Sequence, residues 1–275
     1  MVGTMKNHVT IHVLALVPVL SLFVAGCGGI SLESIDKDDW LQNRMTCALN
    51  SDDLSQDTIN ILSAEGFFDV YDEDPKAAIL DMQNLFESTK NPVYAAALAE
   101  MCYLQAQEDS SIKYYMSSII FANHYLGLVD MTKCALSPRN YFVTRYFNFS
   151  LMEIFNFLQE RKLLEKKGYR IPSTLGPVTF KTTLFKKNLS EVGVDSLIPV
   201  YQLRPYGLRE YNYQTGLGVP LAAETNFIKE ISAGYNVVSN PVTLMIQLTI
   251  QAGRPLEARL EFLDPLLTET IIINN

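Results

Sequence analysis

The run VTLMIQLTIQAGRPLEARLEF, residues 242–262, decides the fold class. Val242, Leu244, Ile246, Leu248 and Ile250 alternate with Thr243, Met245, Gln247, Thr249 and Gln251. A period of two puts the first set on one face of a strand and the second on the other. Leu256, Ala258, Leu260 and Phe262 alternate in the same way with Glu257, Arg259 and Glu261. Ala252-Gly253-Arg254-Pro255 between the two runs reads as a hairpin loop. The pattern predicts paired antiparallel strands with one face on a core and one in water. Residues 178–184 and 197–203 read as further strands, and Pro199 assigns the latter to a sheet edge, because proline donates nothing to a ladder.

Upstream of Pro172 the punctuation is helical. Asp74-Pro75, Asn91-Pro92 and Ser137-Pro138 each set a capping side chain before a proline, whose fixed φ and missing N–H suit the first helical position. Ile79, Leu80, Met82, Leu85 and Phe86 form one apolar stripe. Ala95, Leu98, Ala99, Cys102 and Ala106 form a narrower one that permits close helix approach. Helices are expected at 38–49, at 54–65 with Gly66 as C-cap, and at 138–167. The last carries Phe142, Tyr146, Phe149, Met152, Phe155 and Leu158 ahead of a lysine-rich turn and Gly168. Six helices fit the segment. Pro75, Pro92 and Asp109 stand seventeen residues apart, the half-period of a repeat of about 34 residues of the tetratricopeptide kind. Plain helical hairpins with short loops give the same spacing, so both readings stand. The expectation is an α+β chain: an N-terminal all-helical bundle or TPR-like helical hairpins over 38–168, then a small antiparallel β-sandwich-like domain over 174–275.

The first residues carry an address. Residues 7–32 hold no formal charge, and 13–25 read VLALVPVLSLFVA after Lys6. Pro18 interrupts this run and Gly26, Gly28 and Gly29 close it, short of the roughly 20 apolar residues of a membrane span. A removed signal peptide, 1–26, followed by a tether, 27–37, fits. Met5 is an alternative start that would give Lys6 a short leading segment. Val24-Ala25-Gly26-Cys27 resembles the lipobox of bacterial lipoproteins. That resemblance implies acylation of the Cys27 thiol and cleavage before it. Each buried methylene contributes about 0.8 kcal/mol, so two or three chains hold a protein on a membrane firmly. Gly28 is not the aspartate that retains enteric relatives at the inner membrane, so a lipid-anchored place in the cell envelope, at the outer membrane, is favoured.

Composition excludes some functions. The 275 residues are 48% hydrophobic, 11% aromatic and 19% charged, which is globular, and 22 Lys+Arg against 30 Asp+Glu give −8. A polyanionic nucleic-acid backbone would be repelled. His8 and His12 fall in the leader, which leaves His124 as the one imidazole for acid–base work, at the end of a predicted helix where packing is the ordinary use. No catalytic residue is assigned. Cys47, Cys102 and Cys134 lack C-x-x-C spacing, so no metal is expected. They are buried free thiols, or Cys102 and Cys134 pair across one hairpin; both alternatives stand. Gly216-Leu217-Gly218 lacks the third glycine of a dinucleotide loop, and no phosphate loop occurs, so no cofactor is expected. G-x-S-x-G is absent as well. Asp52-Asp53 and Asp72-Glu73-Asp74 sit beside predicted helix starts and read as caps and solvated charge.

Arginine and tyrosine concentrate in residues 204–221. Arg204, Tyr206, Arg209, Tyr211 and Tyr213 are residue types of binding hot spots, and Gly216 and Gly218 let a backbone approach closely. An ordered loop lying over the sheet is the alternative. Leu62-Ser63-Ala64-Glu65-Gly66, Asp74-Pro75-Lys76-Ala77-Ala78, Ala97-Leu98-Ala99-Glu100, Gly207-Leu208-Arg209, Gly216-Leu217-Gly218-Val219-Pro220-Leu221 and Leu256-Glu257-Ala258-Arg259-Leu260-Glu261 follow in order. This succession resembles the N-terminal portion of bacterial lipoprotein α/β-hydrolases of the lipase or esterase kind. There a helical region and a β segment precede the hydrolase domain. The resemblance implies a membrane-tethered, non-catalytic accessory module of such a hydrolase, a truncated gene product or a separate protein, with the hydrolase domain as partner. Thr270-Ile271-Ile272-Ile273 then reads as an edge strand awaiting a neighbour. The alternative is an envelope adaptor that binds protein or peptide partners through TPR-like helical pairs.

Overall fold

The computed structural model describes residues 47–129, 137–164, 168–183, 194–200, 216–225, 241–251 and 254–263. All lie in one compact unit, 43–275. Its helices are α1 (Gln56–Glu65), α2 (Phe68–Glu73), α3 (Pro75–Thr89), α4 (Pro92–Asp109), α5 (Ile112–Leu128) and α6 (Pro138–Glu160). Local chemistry sets their starts. Asp74 accepts from the Lys76 and Ala77 N–H groups and Asn91 from that of Val93, each with proline next. Ser55 caps α1, and Gly66, at φ 75°, closes it by donating to Leu62 and Ser63 carbonyls. Asp109 ends α4 instead of opening a helix, and α5 starts at Ile112, so the seventeen-residue spacing does not continue. The expected 138–167 helix stops at Glu160: Lys162 turns left-handed at φ 53° and the Leu163 N–H reaches the Leu158 carbonyl. Residues 47–49, expected as the end of a helix, lie in a turn that runs to residue 50.

Buried faces follow the periodicity with instructive departures. On α3, Ala78, Ile79, Met82, Gln83 and Phe86 are buried, whereas Leu80, off that stripe, is 55% exposed. On α4 burial runs all round, Ala95 to Cys102 included, because this alanine-rich helix is the middle of the helical layer. Ser118 on α5 donates to the Ala99 carbonyl at 2.8 Å, a contact that only small side chains permit.

The strands are β1 (Tyr169–Ile171), β2 (Val178–Thr183), β3 (Val194–Pro199), β4 (Val219–Thr225), β5 (Pro241–Gln251) and β6 (Arg254–Leu263). They make one six-stranded sheet in the order β1-β2-β6-β5-β4-β3. β3 lies at an edge, as Pro199 requires. The sheet is mixed, not purely antiparallel: β2 and β6 pair in parallel, Phe180 opposite Ala258. In the β5–β6 hairpin Gln251 pairs with Arg254, so Arg254 and Pro255, expected in the loop, belong to the strand. Thr249 faces Glu257 and Ile250 faces Pro255, which leaves Leu256 as a bulge. The extra residue flips the parity, and Leu256, expected inward, is 49% exposed.

Helices, instead of a second sheet, cover the apolar face of the described strands. Phe155 of α6 meets Phe262 edge-on at 6.5 Å, and one buried cluster runs from Leu54 and Met82 through Phe147 to Phe180, Leu244 and Leu260. Lys181, Glu257 and Arg259 pair on the opposite face, Lys181 to Glu257 at 2.6 Å. The β1–β2 turn is tied to α5, where the Thr174 N–H donates to Ser117 Oγ.

Candidate functional site

Two features of the helical layer meet at its first corner. Glu100 on α4 is 2% exposed, and its carboxylate accepts from five donors. Oε1 takes the Ser55 N–H at 2.9 Å, the Ala48 N–H at 3.3 Å and the Tyr146 hydroxyl at 2.6 Å. Oε2 takes the Ser55 and Thr58 hydroxyls, both at 2.5 Å. A buried carboxylate is tolerable only when its lone pairs are filled in this way. Burial first, and then the Glu100 charge, push the Tyr146 phenol far above its ordinary pKa, so it stays a donor. Burial likewise raises the Cys47 thiol.

This hub fixes the segment that leads into α1, and the segment forms one wall of a cleft. The cleft is lined by Asp52, Asp53, Leu54, Gln56 and Ile59 on that side, Phe68, Tyr71 and Asp72 from α2, and Leu104 from α4, and it has a volume of about 330 Å³. Leu104 stands one turn beyond Glu100 on the same helix. Leu54 is buried, Ile59, Tyr71 and Leu104 are half-buried, and Phe68 is 39% exposed. Asp52, Asp53 and Asp72 are exposed. Among the described residues no salt bridge or side-chain hydrogen bond engages these three carboxylates. Burial, followed by the charges of Glu100, Glu108 and Asp53, holds the Tyr71 phenol well above its usual range.

Asp74 is the cap that the sequence suggests, but Asp52, Asp53 and Asp72 cap nothing; Ser55 does that work for α1. The reason is geometric: the chain turns at Gly66 and folds α2 back toward the lead of α1, so Asp72 lines the same cleft as the Asp52-Asp53 pair. Sequence reasoning missed Glu100, although a lone acid inside the apolar run Ala95-Ala96-Ala97-Leu98-Ala99-Glu100-Met101-Cys102 was its signal.

The other candidate residues are placed as follows. Gly216 and Gly218 are both held by Asn148 of α6: its Nδ2 donates to the Gly216 carbonyl at 2.9 Å and its Oδ1 accepts from the Gly218 N–H at 2.7 Å. Gly218 has φ 113°, and a Cβ there would stand 2.8 Å from Thr243 Cγ2 and 2.9 Å from the Leu244 carbonyl. Fold geometry therefore demands this glycine. His124 packs on Phe86, centroids 5.4 Å apart, with Nε2 buried and unpartnered among the described residues. Burial and then the Lys90 charge lower its pKa. Cys47 and Cys102 are free and buried. Among the described residues no group of three or more His, Cys, Asp or Glu is placed to hold a metal ion, and no helix is long and apolar enough to cross a membrane. Cys27, Cys134, Arg204, Tyr206, Arg209, Tyr211, Tyr213 and the 270–273 run lie outside the described residues. No family model, curated protein or solved structure matches the chain.

Proposed function

We propose that this chain is a lipid-anchored, non-catalytic adaptor of the bacterial cell envelope that holds a peptide or protein partner on its helical layer. The observation that carries the reading is the cleft between the lead of α1, α2 and α4: an apolar floor under three uncompensated carboxylates, braced by Glu100. A concave, partly apolar surface with a few polar groups at its edge suits recognition, and the backbone of one wall is held in advance by Glu100. In this reading the hairpin α3–α4 is the TPR-like pair, and Cys27 supplies the anchor. A second reading, the accessory module of a lipase- or esterase-like α/β-hydrolase, draws on the motif resemblance. The Asn148 clamp on Gly216 and Gly218 favours it, because it fixes the end of the 204–221 segment against α6.

The test uses the full chain expressed in a Gram-negative host. Labelled palmitate should enter the protein and be lost in Cys27→Ser, and the precursor should then stay uncut. A mature N-terminus found elsewhere without acyl groups removes the anchor from the proposal. The purified protein should not turn over a short-chain nitrophenyl ester. Turnover that vanishes in His124→Ala would make it an enzyme instead, because a positioned acid–base group supplies about 10² to 10⁴ in rate.

A further inference from the structure

We infer that the cleft is a receptor for one basic side chain, arginine or lysine, of an extended peptide segment in a partner protein. The inference rests on the adaptor reading and names what the adaptor grips. Three properties of the cleft converge on that chemistry. Its rim carries Asp52, Asp53 and Asp72, exposed and without a described cation, while the described ion pairs sit elsewhere, on Asp57, Asp109 and Glu257. Its floor is Leu54, Ile59 and Leu104, which suits the methylene stem that lysine and arginine bury behind a charged head. Its walls present Phe68, 39% exposed, and Tyr71, whose ring faces attract a cation.

Size and rigidity narrow the ligand further. At about 330 Å³ the cleft stands at the small end of ligand pockets, with room for one long side chain of a peptide. A bare metal ion fits poorly. It would need several converging oxygens without an apolar floor, and no described group of three or more potential ligands converges to hold a metal. The backbone that carries Asp52 and Asp53 is anchored, because Glu100 holds the Ala48 and Ser55 N–H groups and the Ser55 and Thr58 hydroxyls on either side of it. That part of the ordering cost is met on folding, and the exposed carboxylates have only their side-chain rotamers left to fix on binding.

The experiment titrates the full-length lipidated protein in neutral detergent with a labelled dodecapeptide that carries one central arginine between apolar residues. Companion peptides replace that arginine with its uncharged isostere citrulline or with glutamate. The arginine peptide should bind at least about tenfold more tightly than either, and rising salt should weaken it. A triple Asp52→Asn, Asp53→Asn, Asp72→Asn protein, shown by circular dichroism to melt as the parent does, should lose that preference. Phe68→Ala should weaken the arginine peptide without abolishing the charge preference. Equal affinity for arginine and citrulline, or an unchanged preference in the triple variant, overturns the inference. So does free arginine amide binding as tightly as the peptide, which would make the cleft a small-cation site. If peptides bind irrespective of charge, the adaptor reading survives and the cationic cleft does not. If no peptide of basic, acidic or apolar composition binds, both fall.

Discussion

Glu100 concentrates the strongest residue-level consequences. Glu100→Gln keeps the volume but presents an N–H₂ to donors that already occupy the site, and a hydrogen bond to a charged group is worth about 1.5 to 3 kcal/mol. Urea denaturation should show a loss of about 2 kcal/mol for Gln. The loss should be larger for Glu100→Leu, which strands the buried Ala48 N–H and the half-buried Ser55 N–H. A leucine variant as stable as the parent would mean that the network contributes nothing. His124 makes a different prediction. Burial and Lys90 lower its folded pKa, so below the unfolded histidine value of about 6.5 the unfolded chain binds the extra proton. Stability should therefore fall as pH drops from about 6.5 toward that lowered value, and above about 6.5 this group should leave it unaffected. In His124→Phe that part of the slope should vanish, and the carboxylate-driven slope at lower pH should stay. A parent slope retained in His124→Phe would assign it to other groups.

Elements were legible to the degree that their causes are local. Asp74, Asn91 and Gly66 act within one turn, so the sequence announced those helix ends; Asp74→Ala should cost about 1 kcal/mol, read as a lowered melting temperature. Alternation in β5 was equally plain, but the Leu256 bulge was not, because it exists only in the register with Thr249 and Ile250. The parallel β2–β6 pair joins segments far apart in the chain, and no short-range pattern encodes it. Half of the cleft was visible as Asp52-Asp53 and the other half as Asp72. Their meeting was hidden, since it depends on the fold-back at Gly66 and on five bonds to one carboxylate. Gly218 was noticed for closeness to a partner, and the close neighbours are its own β5 residues. Gly218→Ala combines an unfavourable φ with overlap on Thr243 and Leu244, so a loss of about 2 to 4 kcal/mol is expected by denaturant titration.

At the scale of the molecule the question is whether helices and sheet unfold together. The buried cluster does not stop at the change of element type near Gly168; it continues from Ile154, Phe155 and Leu158 into Phe180, Ala258, Leu260 and Phe262. Polar ties cross the same junction, from Asn148 to Gly216 and Gly218 and from Ser117 to Thr174. Two layers that share one core cannot lose their contact face independently, because each would expose apolar surface that the other covers. Phe155→Ala removes a fully buried ring from that seam, a change that typically costs about 3 to 5 kcal/mol. The loss should then appear in full at both ends of the seam. Native-state hydrogen exchange should show the slowest amides of α4 and those of β6 losing the same amount of protection, under one unfolding transition. If the β6 amides lose protection while α4 keeps its own, the sheet opens as a separate unit, and the helical layer with its cleft folds without it.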